Sequence, residues 1–442
     1  MSRGLGDVYK RQGVYIMKTV GIIAEFNPFH NGHAYLINQA KQETGAEHAV
    51  IIMSGNFVQR GAPAFMDKFS RTSIALSNGA DLIIELPTPY SISSAAYFAT
   101  GAVKMLEKLN IIDYLCFGCE TDNTELLSLI ADIIIQEDDC YSSTLQSHLK
   151  NGFSFAKSRE NAIIKSLSLR GVTIAAEEIS HILNSPNSIL AIEYIKALKQ
   201  SDSSIIPLPI KRTDAGYHSS SIESGFASAG AIRNLYSKKS VFTFNNLRET
   251  LSMIVPLNCI PLLEESFKKT YPVTRDDFSN LIGNALINDK YEQSNLDCLF
   301  DSTPDLINRI RNRASTFVDV ESFINDCNSP SFTSCRIARI LFYSLINYTK
   351  EDFFMFREDD YVYYYRVLGF KKSHAELLTA IKSNSDYPLI SKLPKAGELL
   401  SKNGMRMLAV NMLADEVYRM VVSAKYLYSI PSEEERGIVI TD

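Results

Sequence analysis

Two histidines three residues apart, His30 and His33, lie in the run GIIAEFNPFHNGH, Gly21 to His33. A continuous apolar stretch leads into them, an Asn-Pro pair breaks it, and a helical pattern follows. At a helix start, residues i and i+3 share one face of the first turn. The free backbone N–H groups and the positive dipole end there both favour phosphate. Imidazoles added to that anion site donate hydrogen bonds to phosphate oxygens and stabilise charge that builds in a transition state. Gly32 would let the backbone pass close to a flat base or ribose, where any Cβ would intrude. Pro28 is expected to fix the turn and Asn27 to tolerate its backbone conformation. A His-x-x-His pair can also hold a metal, although zinc ligands on a helix more often stand four apart with a glutamate, as in HExxH. Nucleotide phosphate is the first reading and metal the alternative.

The elements that must position this run alternate. Val20 to Phe26, Ala49 to Met53, Leu82 to Leu86, Tyr114 to Phe117 and Ile205 to Ile210 are predominantly apolar runs with no polar alternation. Strands buried on both faces of a parallel sheet read this way. Helical patterns over Ala34 to Thr44, Met66 to Ser77 and Ser94 to Leu109 separate them. The pattern predicts an α/β fold with a doubly wound parallel sheet, in which ligands bind beyond the carboxyl ends of the strands. Between Thr121 and Lys199 the pattern is almost purely helical, which predicts an insertion before the last strand. After Arg233 no strand–helix alternation is expected, and Leu235 to about Tyr428 reads as helices, among them Ser334 to Tyr348 and Met405 to Ala424. The polar stretch Ser237 to Asn246 is the expected domain boundary.

Composition narrows the function classes. Of 442 residues, 45% are hydrophobic and 21% charged, an ordinary globular balance that excludes a disordered or fibrous chain. Lys and Arg number 45 against 50 Asp and Glu, so the net charge of −5 excludes a polycationic nucleic-acid coat and leaves room for a local basic patch. No apolar run approaches the roughly 18 residues of a membrane helix. Seven scattered cysteines make no disulfide framework, and with no secretory leader a reducing cytoplasm is the expected compartment. Cys116 and Cys119 form a CxxC without a second pair or a histidine at ligand spacing, so no metal site is expected there. Residues 1–16, which include GDVYKRQ, read as a translated adapter or a disordered leader, with Met17 opening the first strand.

The strand–HxGH–helix arrangement resembles the nucleotidyltransferase superfamily, whose members attack the α-phosphate of ATP and release pyrophosphate. The resemblance narrows with SGNFVQRGAPAFMDKFSR (Ser54 to Arg71), DLIIELP (Asp81 to Pro87), SPNSILAIEY (Ser185 to Tyr194) and IKRTDAGYHS (Ile210 to Ser219). RVLGF (Arg366 to Phe370) adds a match deep in the C-terminal half. From Met17 essentially to its end, the chain resembles the bacterial tRNA(Met) cytidine acetate ligase family. That resemblance implies an ATP-dependent ligase that activates acetate as acetyl-adenylate and acetylates N4 of the wobble cytidine of elongator tRNA(Met). It implies ATP with Mg2+, tRNA(Met) and acetate as partners, and neither a membrane nor acetyl-CoA. The implied organisation is a Rossmann-like nucleotidyltransferase domain over 17–236, with the insertion at about 121–199, and a mostly α-helical, tRNA-binding domain over 237–442.

The resemblance also assigns residues. His30 and His33 are the catalytic pair, and the ATP loop comprises Ile23, Ala24, Glu25, Phe26, Asn27, Pro28, Phe29, Asn31, Gly32 and Leu36. Gly118 in LCFGCE, Asn187 in SPNSILAIEY and Arg212 in IKR match further ATP-site positions. Alone, Gly118 reads equally as a strand-ending glycine, and Asn187 as the opening of the helix after Pro186. Arg212 leaves an apolar strand, and its guanidinium can fork onto two phosphate oxygens. Ser228 and Arg233 in SAGAIR match the superfamily's later phosphate motif, here degenerate at Ala229 and Gly230. Arg60, Lys68 and Arg71 read either as a flap that meets the tRNA or as a solvated face with local ion pairs. In the C-terminal half Arg309, Arg311, Arg313, Arg336, Arg339, Arg366, Lys371 and Lys372 stand among many aromatics. Arginines could bind phosphate and aromatics stack bases, though most such aromatics form the core of a helical domain. Two other functions stay open: an adenylyltransferase for a phosphorylated cofactor precursor, and a non-catalytic RNA-binding protein.

Overall fold

Ten strands carry the architecture in a computed structural model that describes residues 18–172, 174–212, 225–236, 243–292 and 294–442. They are β1 (Thr19–Ala24), β2 (His48–Ser54), β3 (Phe57–Val58), β4 (Ala62–Pro63), β5 (Leu82–Leu86), β6 (Tyr114–Cys119), β7 (Ile206–Lys211), β8 (Tyr365–Lys371), β9 (Leu389–Ile390) and β10 (Val439–Thr441). The main sheet runs β10-β8-β5-β2-β1-β6-β7, with β9 beside β8. Its five strands from β5 to β7 are parallel, in register Gly21 with Val50 and Gly21 with Leu115. The chain winds outward from β1 in both directions, so the gap beyond the carboxyl ends of β1 and β6 is the topological switch point.

The apolar runs have the expected cause. Val20 and Ile22 of β1, with Ala49, Ile51 and Met53 of β2, face one core. Ile23, Val50 and Ile52 face the other. Helices α1 (Asn31–Thr44) and α2 (Lys68–Leu76) cover the first face, and α4 (Ala95–Lys108) lies on the second, after the single turn α3 (Thr88–Ser91). The predicted insertion is α5 (Thr124–Gln136), α6 (Asp139–Lys150), α7 (Phe155–Leu169), α8 (Ala176–Asn184) and α9 (Pro186–Gln200), and α9 packs back on α4 and β6.

The C-terminal half departs from the helix-only expectation. It supplies β8, which pairs antiparallel with β5, and β10, which pairs with β8, so the sheet is mixed and mostly parallel. YRVLGFK is a seven-residue strand, too short to show a period against the aromatic run before it. Gly369 marks the place, because a Cβ there would sit 2.5 Å from the Val439 carbonyl oxygen and 2.7 Å from Thr72 Cγ2. The long helix Lys402–Tyr426 locks this half to the first: Asn411 Oδ1 accepts from Thr88 N and Oγ1, each at 2.8 Å, and the Tyr418 hydroxyl donates to the Ala64 carbonyl at 3.0 Å. No helix of the described residues is long and apolar enough to cross a membrane. The expected boundary falls partly outside the described residues, and TDAGYHS lies wholly outside them.

Candidate active site

The loop after β1 turns sharply at Phe26, which holds a left-handed backbone with φ of 47°. The sequence reading gave that conformation to Asn27. Asn27 instead anchors the loop: its Oδ1 accepts from Phe65 N at 2.6 Å, and its carbonyl accepts from Arg233 Nη1 at 2.6 Å. The Asn27–Pro28 peptide is cis. The Phe26 and Phe29 rings pack edge-on at 4.9 Å, and Phe26 meets His33 at 5.0 Å.

His30 is the N-cap of α1. Its Nδ1 accepts from Gly32 N at 3.1 Å, and His33 Nδ1 accepts from His30 N at 3.3 Å, a reciprocal capping box built from two histidines. An Nδ1 that accepts must be unprotonated, so both neutral rings carry their proton on Nε2. The rings stack with centroids 3.8 Å apart. Burial pushes the His30 pKa down to about 3, with the nearby Arg212 charge adding to the effect. Burial, His30 and Arg212 together hold His33 well below the usual imidazole range. Both are therefore neutral donors at pH 7. Gly32 serves this cap first, since a Cβ there would lie 2.9 Å from His30 Cε1.

Asn31 ties the helix start to later chain, donating to the Gly225 and Met253 carbonyls at 2.9 and 3.1 Å. Ile23 and Ala24 end the buried strand beneath, and Leu36 packs on its α1 side. Glu25 Oε1 accepts from Gln59 N at 2.9 Å, fastening the loop to the β3–β4 hairpin. Ser228 Oγ accepts from Ala231 N at 3.1 Å and starts α10 (Ala229–Tyr236), from which Arg233 reaches the Asn27 carbonyl. Arg233 thus joins the histidine loop, and Ser228 caps the helix that carries it.

The other bank is the end of β6. The Arg212 side chain lies over Gly118, where a Cβ would meet its Cγ at 3.7 Å, and Arg212 N donates to the Cys119 carbonyl at 3.0 Å. Asn187 Nδ2 donates to Glu120 Oε1 at 2.8 Å, while Ser188 N and Oγ donate to Oε2 at 3.1 and 2.7 Å. Sequence reasoning missed Glu120; its signal was an acidic residue directly after a buried strand, in LCFGCE. The Cys116 thiol is buried and pushed up to about 12, and burial also raises Cys119, so neither offers a thiolate at neutral pH.

Lys68 and Arg71 are corrected. Neither is exposed: Lys68 Nζ lies 2.8 Å from Glu85, 2.6 Å from Asp415 and 3.0 Å from Glu433. Arg71 donates to the carbonyls of Met66, Glu25, Ser54 and Gly55, binding α2 to the ends of β1 and β2. Two cations consumed by internal acceptors are not an RNA face. Arg60 is exposed on the hairpin turn. In the C-terminal half Arg366 is buried, Arg311 bridges Asp289 and Asp297, and Arg336 and Arg339 pair with Asp301. Phe353, Phe356, Tyr364 and Tyr365 are core.

Among the described residues, His48, Asp81 and His374 are brought together as a group of possible metal ligands at the opposite end of the sheet. Asp81 there is already satisfied by Lys41, Lys371 and Ala49 N, and the two histidines hydrogen-bond each other at 2.8 Å. The group reads as a clamp joining α1, β2, β5 and β8.

A family model described as HIGH Nucleotidyl Transferase matches residues 17–431. A protein of Acetivibrio thermocellus named tRNA(Met) cytidine acetate ligase is 37% identical over 96% of this chain and 100% of its own length. This chain belongs to the tRNA(Met) cytidine acetate ligases of the HIGH nucleotidyl transferase family. A relative of the same name from Thermoanaerobacter sp. is 39% identical over 91% of this chain and 95% of its own. The crystal structure of Thermotoga maritima TmcAL bound with alpha-thio ATP superposes with a TM-score of 0.83 at 26% identity, covering 96% of this chain and all of that one. The apo form gives 0.85 over the same shares. In this family member the HxGH run is His30, Asn31, Gly32 and His33, so the resemblance read from the motifs is borne out.

Proposed function

We propose that this chain binds ATP across the carboxyl ends of β1 and β6, activates acetate as acetyl-adenylate, and acetylates N4 of the wobble cytidine of elongator tRNA(Met). The observation that carries the reading is the pair of neutral, stacked histidines at the N-terminus of α1, with Arg212 opposite. Acetate is ionised at neutral pH and needs no base. Its oxygen attacks the α-phosphorus, the bond to pyrophosphate breaks, and charge builds on the departing oxygens. Two Nε2–H donors, the helix N–H groups and one guanidinium suit that charge. N4 of the cytidine then attacks the acetyl carbonyl, the acyl–phosphate bond breaks, AMP leaves and N4 gives up a proton. An anticodon base is already unpaired in its loop, which lowers the cost of presenting it.

Mg2+ would arrive on the ATP phosphates and keep most of its water. Among the described residues, Glu25 and Glu120 are carboxylates beside the loops, and both accept hydrogen bonds from the protein, so neither is held ready as a ligand for the ion. Arg60, exposed on the hairpin turn, is proposed as a tRNA contact, and segment 237–442 as the remainder of that face.

The test is pyrophosphate release from ATP by purified protein, with and without acetate and bulk bacterial tRNA. Acetate-dependent release is expected. Release indifferent to acetate would overturn the ligase reading and favour adenylation of a phosphorylated precursor.

A further inference from the structure

Glu120 directly follows the last residue of β6, and its two oxygens accept three hydrogen bonds from the first turn of α9. An ionised carboxylate only accepts, so the Asn187 group that meets it must be the amide NH2. That contact fixes the amide: one N–H of Nδ2 is committed to Glu120, and Oδ1, the acceptor of Asn187, is turned away from the carboxylate. Gly118, two residues earlier on the same strand end, lies under the Arg212 side chain, and Arg212 acts on both histidines. The phosphate-binding groups and the Glu120–Asn187 pair thus share one strand end.

They cannot share one ligand group. A phosphate beside the Glu120 carboxylate would meet a like charge in a partly desolvated site, which is costly. What approaches Asn187 Oδ1 is therefore uncharged and carries a hydrogen-bond donor, which describes the nucleoside half of ATP, through a ribose hydroxyl or the exocyclic amine of the base. We propose that Glu120 is a positioning residue that holds Asn187 with its acceptor turned to the nucleoside, so that this strand end reads the uncharged half of the nucleotide while the histidine loop reads the phosphates. The inference rests on the ATP reading above and adds to it the residue that orients the nucleoside contact.

The test is calorimetric binding of ATP and, separately, of inorganic pyrophosphate. Glu120→Gln lets the facing amides pair in either sense, so the Asn187 orientation is no longer imposed. Glu120→Gln and Asn187→Ala should each weaken ATP by roughly 5- to 10-fold, the worth of about one hydrogen bond, and leave pyrophosphate affinity unchanged. The double variant should bind ATP no worse than Asn187→Ala alone. Ser188→Ala, which removes another of Glu120's donors, should stay within about two-fold of the parent for ATP, well under the loss of one hydrogen bond. If Glu120→Gln does not fold, Glu120→Asp shortens the reach of the carboxylate and should show the same loss for ATP without a loss for pyrophosphate. Additive losses in the double variant, an equal loss for pyrophosphate, or a Ser188→Ala loss as large as that of Glu120→Gln would each overturn the inference. A parent protein that binds pyrophosphate and not ATP would overturn the ATP reading itself, and the inference with it.

Discussion

Acidification should destabilise this protein through its own histidine pair, and the size of the effect follows from the capping geometry. His30 is buried, its Nδ1 accepts from Gly32 N, and its pKa lies at about 3 against 6.5 for a free imidazole. A folded-state pKa below the unfolded one means that the unfolded chain takes up the proton first. The neutral form is favoured in the folded protein, so stability is whole above pH 6.5 and falls as pH drops toward 3. At pH 5.0 the unfolded histidine is 1.5 units below its pKa while the folded one is still neutral. At about 1.36 kcal/mol per unit, His30 alone should cost about 2 kcal/mol between pH 7.5 and 5.0. The assay is urea unfolding followed by circular dichroism, since the chain has no tryptophan. His30→Asn is the matched variant: asparagine is a good N-cap, so it keeps the acceptor and removes the titration. Its stability should fall by about 2 kcal/mol less than that of the parent over the same pH interval. Equal losses in parent and variant would refute the reasoning, because the buried neutral ring would then not be the source of the pH dependence.

Three further outcomes follow from the contacts. Lys68→Met leaves Glu85, Asp415 and Glu433 facing one another without their shared cation, and should cost about 3–5 kcal/mol of unfolding free energy in urea. Gly118→Ala should fold as the parent does, since the new Cβ meets only the Arg212 side chain, no closer than 3.7 Å; it should raise the KM for ATP several-fold if the nucleotide passes over the end of β6. Arg212→Gln removes a charge that depresses both histidines. Their pKa values should therefore rise, seen in the imidazole Cε1–H shifts, while ATP affinity falls about ten-fold, the worth of one charge-assisted hydrogen bond.

The central five strands and the HxGH helix start were legible because both are local patterns: apolar runs without polar alternation, and a polar cap with a glycine after an Asn-Pro break. β8 was not legible. Its seven residues follow a run of tyrosines, and its place depends on pairing across nearly 300 positions with β5, a distance that no window of sequence spans. Lys68 and Arg71 misled for a related reason. Cations on a polar helix face usually meet solvent, but here three carboxylates from β5, the long C-terminal helix and the final segment converge on Lys68. Glu120 was passed over because its partners, Asn187 and Ser188, lie 67 and 68 residues away. The left-handed residue fell one position from where composition put it. Asparagine favours that conformation, yet Asn27 spends its side chain on Phe65 N and the strain passes to Phe26, held by its ring contacts with Phe29 and His33.

The most direct test of the account is the fate of the acetyl group. Purified protein should be incubated with ATP, isotope-labelled acetate and elongator tRNA(Met) transcript, and the tRNA digested for nucleoside mass spectrometry, with His30→Ala and His33→Ala in parallel. The account predicts labelled N4-acetylcytidine at the wobble position, dependent on ATP and acetate and lost in both histidine variants. Labelled acetate absent from the tRNA, with ATP still consumed, would contradict it.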